Sequence, residues 1–454
     1  MLLRLLACFF LFVVFVGNYC QTGRAADPTL KLKQGDHISY IGNTLADRMQ
    51  HAGWLETYIH AAHPEMNLTV RNLGFSGDEV KLRPREDNFG GPDDWLAKNK
   101  SSVIFAFFGY NEALRGQAGL EVFKKELAES IDGMLVQKYD GVSAPKLVFF
   151  SPIAHENLMS PHLPDGLANN EKIELYTKTM AAVCKSKGVP FIDLFTATKK
   201  LYATAVKPLT MNGIHLLDHG DRAVADVIVK ELFGIEKQSK DERELERLRQ
   251  AILDKNYHWF SRYRVVDGYN VFGGRSKLAW FGQSNADVMM REMEMFDIMT
   301  ANRDVRVWAV AKGSDHHVVD NNLPPAVEVK TNIPGKLEGG KHEYIDGKEA
   351  ISKMKIAYGM QVNLFADEKM FPEMAKPVQM AVDPDGVLYA SVWPSYPHWN
   401  PMEPRKDRIL SLPDDNGDGV ADRCVVFADE LNSVTGFEFW EVVCWSLPCR
   451  NYGF

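Results

Sequence analysis

The sequence predicts an α/β fold, a parallel-sheet α/β/α sandwich, followed by a helical and linker region and then an antiparallel β segment. Three observations carry this. Between residues 36 and 236 short apolar runs alternate with longer segments of helical period, as a βαβ series requires. Those runs are continuously apolar, so their strands are covered on both faces, which is the environment of a parallel sheet. Near residues 378–393 the pattern changes to "VQMAVDPDGVLYASVW", two runs joined by Asp383, Pro384, Asp385 and Gly386, the signature of a hairpin.

Taken in order, the chain opens on an early Arg4, an apolar run from Leu5 to Val16 and small residues at Gly23 and Ala25. This is a signal-peptide layout over residues 1–25 and predicts a secreted or periplasmic protein. The alternative is an uncleaved apolar segment, the only membrane contact the sequence offers. Strands are expected at 37–42, 68–74, 101–109, 146–152 and 190–194, within a domain spanning 27–236. Helices are expected at 120–139 and at 169–188, the latter between an Asn cap and Gly188. Residues 237–345 begin with a charged helix that either packs on this domain or leaves it. A Met-rich helix near 288–304 reads as core filler, and 312–345 as linker. Residues 346–454 form the β segment.

The 454 residues are 45% hydrophobic and 25% charged, which fits two or three globular domains. A net charge of −8 without a basic, aromatic-interleaved face excludes nucleic acid as a partner. Of six cysteines, Cys8 and Cys20 fall in the signal segment and Cys184 in an amphipathic pattern as a core thiol. Cys424, Cys444 and Cys449 lack zinc-like spacing, and no haem-attachment motif occurs.

Four blocks sit at strand ends or in the last loop of the first domain: "GNTL" (42–45), "NLGFSGDEV" (72–80), "FFGYNEA" (107–113) and "NGIHLLDHG" (212–220). In this order they resemble the blocks of the SGNH, or GDSL-like, hydrolases, a flavodoxin-like fold. The resemblance implies acyl transfer with Thr44 at the nucleophile position, Gly77 and Asn111 as oxyanion donors, and His215 as general base oriented by Asn212. Two positions depart from the family. Thr44 stands where Ser is usual, and its extra methyl restricts χ1. Asn212 stands where Asp is usual; the comparable change in a serine protease costs about 10⁴ in kcat. Thr44 read alone could be a helix N-cap, and His215 a buried loop histidine. Asp78, Glu79, Glu112 and Asp218 are candidates for the missing acid, Asp218 first by spacing, and His155 lies at the same mouth.

In the β segment, "DDNGDGVAD" places Asp414, Asn416, Asp418 and Asp422 around two glycines. This is the ligand pattern of a short calcium loop, or an acidic turn that binds nothing. Residues 352–438 resemble the opening of the β-propeller of secreted bacterial membrane-bound dehydrogenases, in which a c-type haem module follows later. The resemblance implies an incomplete propeller, since closure needs four or more blades, and a truncated or frame-shifted chain. The expected function is a secreted hydrolase of esters, such as acyl esters of carbohydrates, whose hydrolase domain needs no cofactor. A binding domain without turnover and a fragment of a haem-dependent dehydrogenase are the alternatives.

Overall fold

Five strands, β1 (His37–Gly42), β2 (Thr69–Asn72), β3 (Val103–Phe107), β4 (Lys146–Phe150) and β5 (Phe191–Ile192), pair in parallel in the order β2-β1-β3-β4-β5. The structure is a computed structural model that describes residues 30–448 except 86, 237, 239, 266, 331–334, 397–398 and 441–442. The signal segment, with Cys8 and Cys20, and Cys449 lie outside the described residues. β1 spans its whole expected range, and the other four strands fall inside theirs and are shorter. Asp193 accepts the Thr196 N–H and starts the next helix, which ends β5, while Asn72 Oδ1 accepts the Gly74 N–H and turns the chain after β2.

Helices cover both faces. α1 (Thr44–Ala52) and α2 (Trp54–Ala62) lie with a later helix on one side of the sheet. α3 (Pro92–Lys98), α5 (Gly116–Leu135) and α6 (Leu167–Lys187) lie on the other, with the one-turn α4 (Tyr110–Ala113) at the end of β3. α7 (Leu194–Thr204) and α8 (Asp218–Phe233) complete the domain, α8 packing with α1 and α2. α6 begins earlier than expected, at a Gly166 cap with φ +77°. The asparagines read as its cap instead hold the loop after β4: Asn170 Oδ1 accepts the His155 N–H at 2.7 Å, and Asn169 Nδ2 meets His155 Nδ1 at 3.1 Å. Cys184 is buried in this layer, and burial pushes its thiol up to about 12.

The strand order reverses between β1 and β3, so their carboxyl ends diverge into a crevice, the place where such sheets bind ligands. Gly42 makes the closest approach there. Its φ is +138°, and a Cβ would stand 2.1 Å from the Phe107 carbonyl oxygen. Asn43 N–H then donates to that same oxygen at 3.1 Å, which sets the "GNTL" turn against the turn after β3.

The charged helix packs on the domain. α9 (Glu242–Tyr263) and α11 (Asn285–Ala311) lie against β2, the edge strand, and the short α10 (Gly268–Val271) packs on α11. Lys255 Nζ is buried 2.7 Å from Glu56 and donates to the Val70 carbonyl, and Trp259 Nε1 donates to the Asn72 carbonyl at 2.7 Å. Arg71 of β2 forms a buried two-bond pair with Asp304 of α11. Met293, Met295 and Met299 are buried, as core filler should be. A two-residue ladder, β6 (Ala279–Trp280) with β7 (Gln283–Ser284), precedes α11.

Residues 312–376 are largely irregular, with one short helix, α12 (Gly347–Ser352). β8 (Pro377–Val382), β9 (Leu388–Val392), β10 (Asp407–Leu412) and β11 (Val425–Leu431) then form one antiparallel meander. β12 (Val434–Trp440) and β13 (Val443–Pro448) pair separately. Where an incomplete propeller is expected, the described residues form one four-stranded antiparallel sheet and a two-stranded ladder, which do not close a ring of blades. No described helix is long and apolar enough to cross a membrane.

Candidate active site

Asn43, not Thr44, caps α1: its side chain accepts the Leu45 N–H at 3.2 Å. Thr44 is the first helical residue, which leaves its hydroxyl and its N–H without a hydrogen bond to any described residue. Thr44 lines a cavity of about 580 Å³ whose wall also includes Asn43, Asn111 and His215. The N-cap reading of Thr44 is thereby corrected, because the residue before it already does that work.

The histidine is delivered by a loop that folds back on itself. Thr210 and Leu216 form an antiparallel bridge, and Met211 N–H donates to the His215 carbonyl at 2.9 Å. Glu156 anchors this loop from below. Its buried carboxylate accepts the Leu209 and Thr210 N–H groups and the Thr210 hydroxyl, while its own N–H donates to the Gly213 carbonyl at 2.8 Å. Asn212 Oδ1 accepts the His215 N–H at 3.1 Å and lies 3.1 Å from His215 Nδ1, with Asn212 Nδ2 at 3.0 Å from the same atom. Because the backbone already fixes the amide oxygen, we assign the ring proton to Nδ1, donating to Oδ1. Nε2 is then left as an acceptor. Burial, and next the nearby Arg48 charge, hold the His215 pKa below its ordinary 6.5.

On the opposite side, Asn111 Nδ2 donates one hydrogen to the Asp78 carbonyl at 3.1 Å, and its amide lines the cavity with one hydrogen to spare. Glu112 braces this corner. Its buried carboxyl accepts the Val80 and Gly109 N–H groups, each at 2.9 Å, and burial pushes its pKa up to about 7. Gly77 is glycine because its φ is +89°; a Cβ there would meet nothing within 4 Å. It occupies the exposed turn after β2 and does not line the cavity, so the structure brings together Thr44, Asn111, Asn212 and His215 but sets Gly77 at the rim. Asn72 ties that loop to α1 by donating to the Ala46 carbonyl at 2.6 Å.

Residues 35–223 match the family model of the GDSL-like lipases and acylhydrolases. Residues 346–447 match a domain of unknown function, DUF7133. No curated protein sequence matches the chain. Among solved structures, a gut microbial diltiazem-metabolizing enzyme aligns at 17% identity with a TM-score of 0.36, over 45% of this chain and 48% of its own. This chain thus spans about half the length of that relative. An acetylxylan esterase from Geobacillus stearothermophilus aligns at 14% identity with a TM-score of 0.35, over 46% of this chain and 100% of its own. An alpha/beta hydrolase enzyme from the metagenome of Lake Arreo, Spain, aligns at 17% identity with a TM-score of 0.33, over 45% and 98%.

Within the domain at 35–223, none of the four carboxylates considered for the missing acid reaches His215. Asp78 pairs with Arg85 at 2.7 Å, Glu79 with Arg115 at 2.6 Å, and Glu112 holds backbone N–H groups. Asp218 turns away, accepting from Trp54 Nε1 at 3.2 Å and from Arg249 at 3.4 Å. His155 is a structural residue beneath the loop. Its ring packs against Gly166 and Gly213, so that a Cβ on Gly213 would come within 2.4 Å of Nε2. Two residues of the cavity wall escape a reading by motif, Arg48 and Asp221.

The acidic turn of the β segment is held by its own hydrogen bonds. Asp414 accepts the N–H groups of Gly417, Asp418 and Gly419, and Asp422 accepts those of Asp415 and Asn416. Asn416 Oδ1 accepts the Asp418 N–H at 2.9 Å. These oxygens cap their own turn, and no group of three or more His, Cys, Asp or Glu among the described residues is arranged to hold a metal ion.

Proposed function

We propose that the domain at 35–223 hydrolyses esters, with Thr44 as nucleophile and His215 as general base and then acid. One observation carries this reading: residues 44, 111 and 215, distant in sequence, meet on one cavity while the His215 Nδ1 is held by Asn212. In the first half-reaction Thr44 Oγ1 bonds to the acyl carbon and its proton passes to His215 Nε2. That proton then leaves with the alcohol as the ester C–O bond breaks. In the second, water gives its proton to Nε2 and attacks the acyl-threonine, releasing the acid and restoring Thr44. The developing oxyanion would take the free Thr44 N–H at the start of α1, the second hydrogen of Asn111 Nδ2, and the Gly77 N–H if the rim turn closes on substrate.

Acyl esters of carbohydrates are the substrates to assay first, and export through residues 1–25 stays part of the proposal. A second reading, a binding pocket without turnover, is favoured by the lack of a hydrogen bond between Thr44 and His215. Catalytic hydrogen bonds are often loose before substrate arrives, so the first reading stands. Hydrolysis of 4-nitrophenyl acetate separates the two. Thr44→Ala should lower the rate at least 100-fold without changing the melting temperature, and Thr44→Ser should keep or raise it. A Thr44→Ala rate equal to the parent's would remove Thr44 from the mechanism.

A further inference from the structure

The reaction cavity continues past the reacting groups. α1 presents Thr44, Arg48, His51 and Ala52 to it, positions that share one helix face, and Arg48 stands one turn, about 6 Å, from Thr44. Facing them from α8 is Asp221. Arg48 forms no ion pair within 4.0 Å among the described residues, and its one hydrogen bond, to the Leu216 carbonyl, is stretched to 3.5 Å. Asp221 is 5% exposed, and its Oδ2 is buried with no hydrogen-bond partner. The other acid at this end, Asp218, is committed to Trp54 and Arg249. Leaving a guanidinium without an ion pair and one buried carboxyl oxygen without a hydrogen bond on an apolar wall costs free energy, so their retention beside a reaction centre calls for a ligand.

We propose that Arg48 and Asp221 form a subsite for a carboxylate carried by the ester substrate, one helical turn from the Thr44 hydroxyl. The inference rests on the esterase reading and adds the substrate class. A guanidinium fork is the group best shaped to take a carboxylate by two parallel hydrogen bonds. Asp221 complements it rather than opposing it. Burial, and next the neighbouring Asp218, push its pKa up to about 8, so at neutral pH it carries a proton and donates it to the same anion. The spacing suits a carboxylate two or three carbons from the ester carbonyl, or a similar distance away on the alcohol.

The anion would also act on the chemistry. Arg48 lies close enough to His215 to lower its basicity, and Asn212 supplies no compensating charge. A substrate carboxylate on Arg48 neutralises that cation, so the imidazolium formed in the transition state is opposed less. The preference should therefore reach kcat and not only KM.

The test uses the intact chain and three esters: 4-nitrophenyl acetate, which is neutral; mono-4-nitrophenyl succinate, charged on the acyl side; and 4-acetoxybenzoate, charged on the alcohol side. One charged ester should exceed the acetate at least tenfold in kcat/KM, and Arg48→Gln should bring that ratio to within about twofold of one. Which charged ester wins tells whether the anion belongs to the acyl or the alcohol part. As a readout without turnover, 10 mM succinate should raise the melting temperature of Thr44→Ala by about 2 °C or more and leave Thr44→Ala/Arg48→Gln unchanged. If no ester is hydrolysed while succinate still protects through Arg48, the esterase reading falls and the anion subsite stands. No succinate shift, or a charged-to-neutral ratio near one in the parent, overturns the subsite.

Discussion

At the scale of single residues, Asn212 sets what the pocket can do. Its amide oxygen fixes the His215 ring, but it brings no charge, and burial with Arg48 already holds the imidazole pKa below 6.5. In the proposed mechanism the neutral ring is the base, so kcat/KM should fall only as pH drops through that lowered value. Asn212→Asp places an anion at the same distance, which favours the imidazolium and moves the pKa upward. We expect the acid limb of the pH profile to shift to higher pH and the plateau kcat to rise at least tenfold. An unmoved limb would show that His215 does not work as an oriented base. Thr44, Asn111, Asn212 and His215 were legible because each sits in a short block at a strand end or in the last loop. Arg48, Asp221 and the true partners of Asp218 were not. Nothing local separates a paired arginine from an unpaired one, and Asp218 is turned from His215 by Trp54 and Arg249, residues remote in sequence.

At the scale of elements, continuous apolar runs gave away all five strands, and errors were confined to their ends, where Asn72 and Asp193 divert the backbone. How β2 is covered could not be read, because the contacts that do it join residues about 200 or more apart, such as Glu56 with Lys255 and Arg71 with Asp304. The second pair makes a prediction. Asp304→Ala leaves the Arg71 guanidinium buried without its anion, a change that costs about 3–5 kcal/mol in such sites. Urea unfolding should report a loss of that size. Activity should fall too, since β2 ends on Asn72, which holds both the Ala46 carbonyl and the Gly74 N–H. A loss under about 1 kcal/mol would mean that the pair is solvated and that α11 is only loosely held.

At the scale of the whole molecule, the matched family region ends at residue 223, yet the hydrophobic core does not. Leu245, Leu248, Ala251, Ile252, Val307 and Val310 share one buried cluster with α1, α2 and α8, and Trp259, Met293 and Phe296 share the other. The folded unit of the first domain should thus extend to residue 311, with α9 and α11 as part of it. Contacts from the β segment to this unit are few in kind: Trp399 lies 6.1 Å from Phe296 ring to ring, and Arg405 stands 4.6 Å over Tyr257. Two shortened chains separate these roles. A chain of residues 27–345 should keep the parent's ester hydrolysis within about twofold and its main melting transition within about 3 °C, since it retains every buried residue of both clusters. A chain of residues 27–236 should be insoluble or unfolded, because it strips Lys255 from Glu56, Trp259 from the Asn72 carbonyl and the cover from an edge strand. Were the shorter chain folded and active, α9 and α11 would be an appendage, and the buried pairs on β2 would have to be satisfied by water instead.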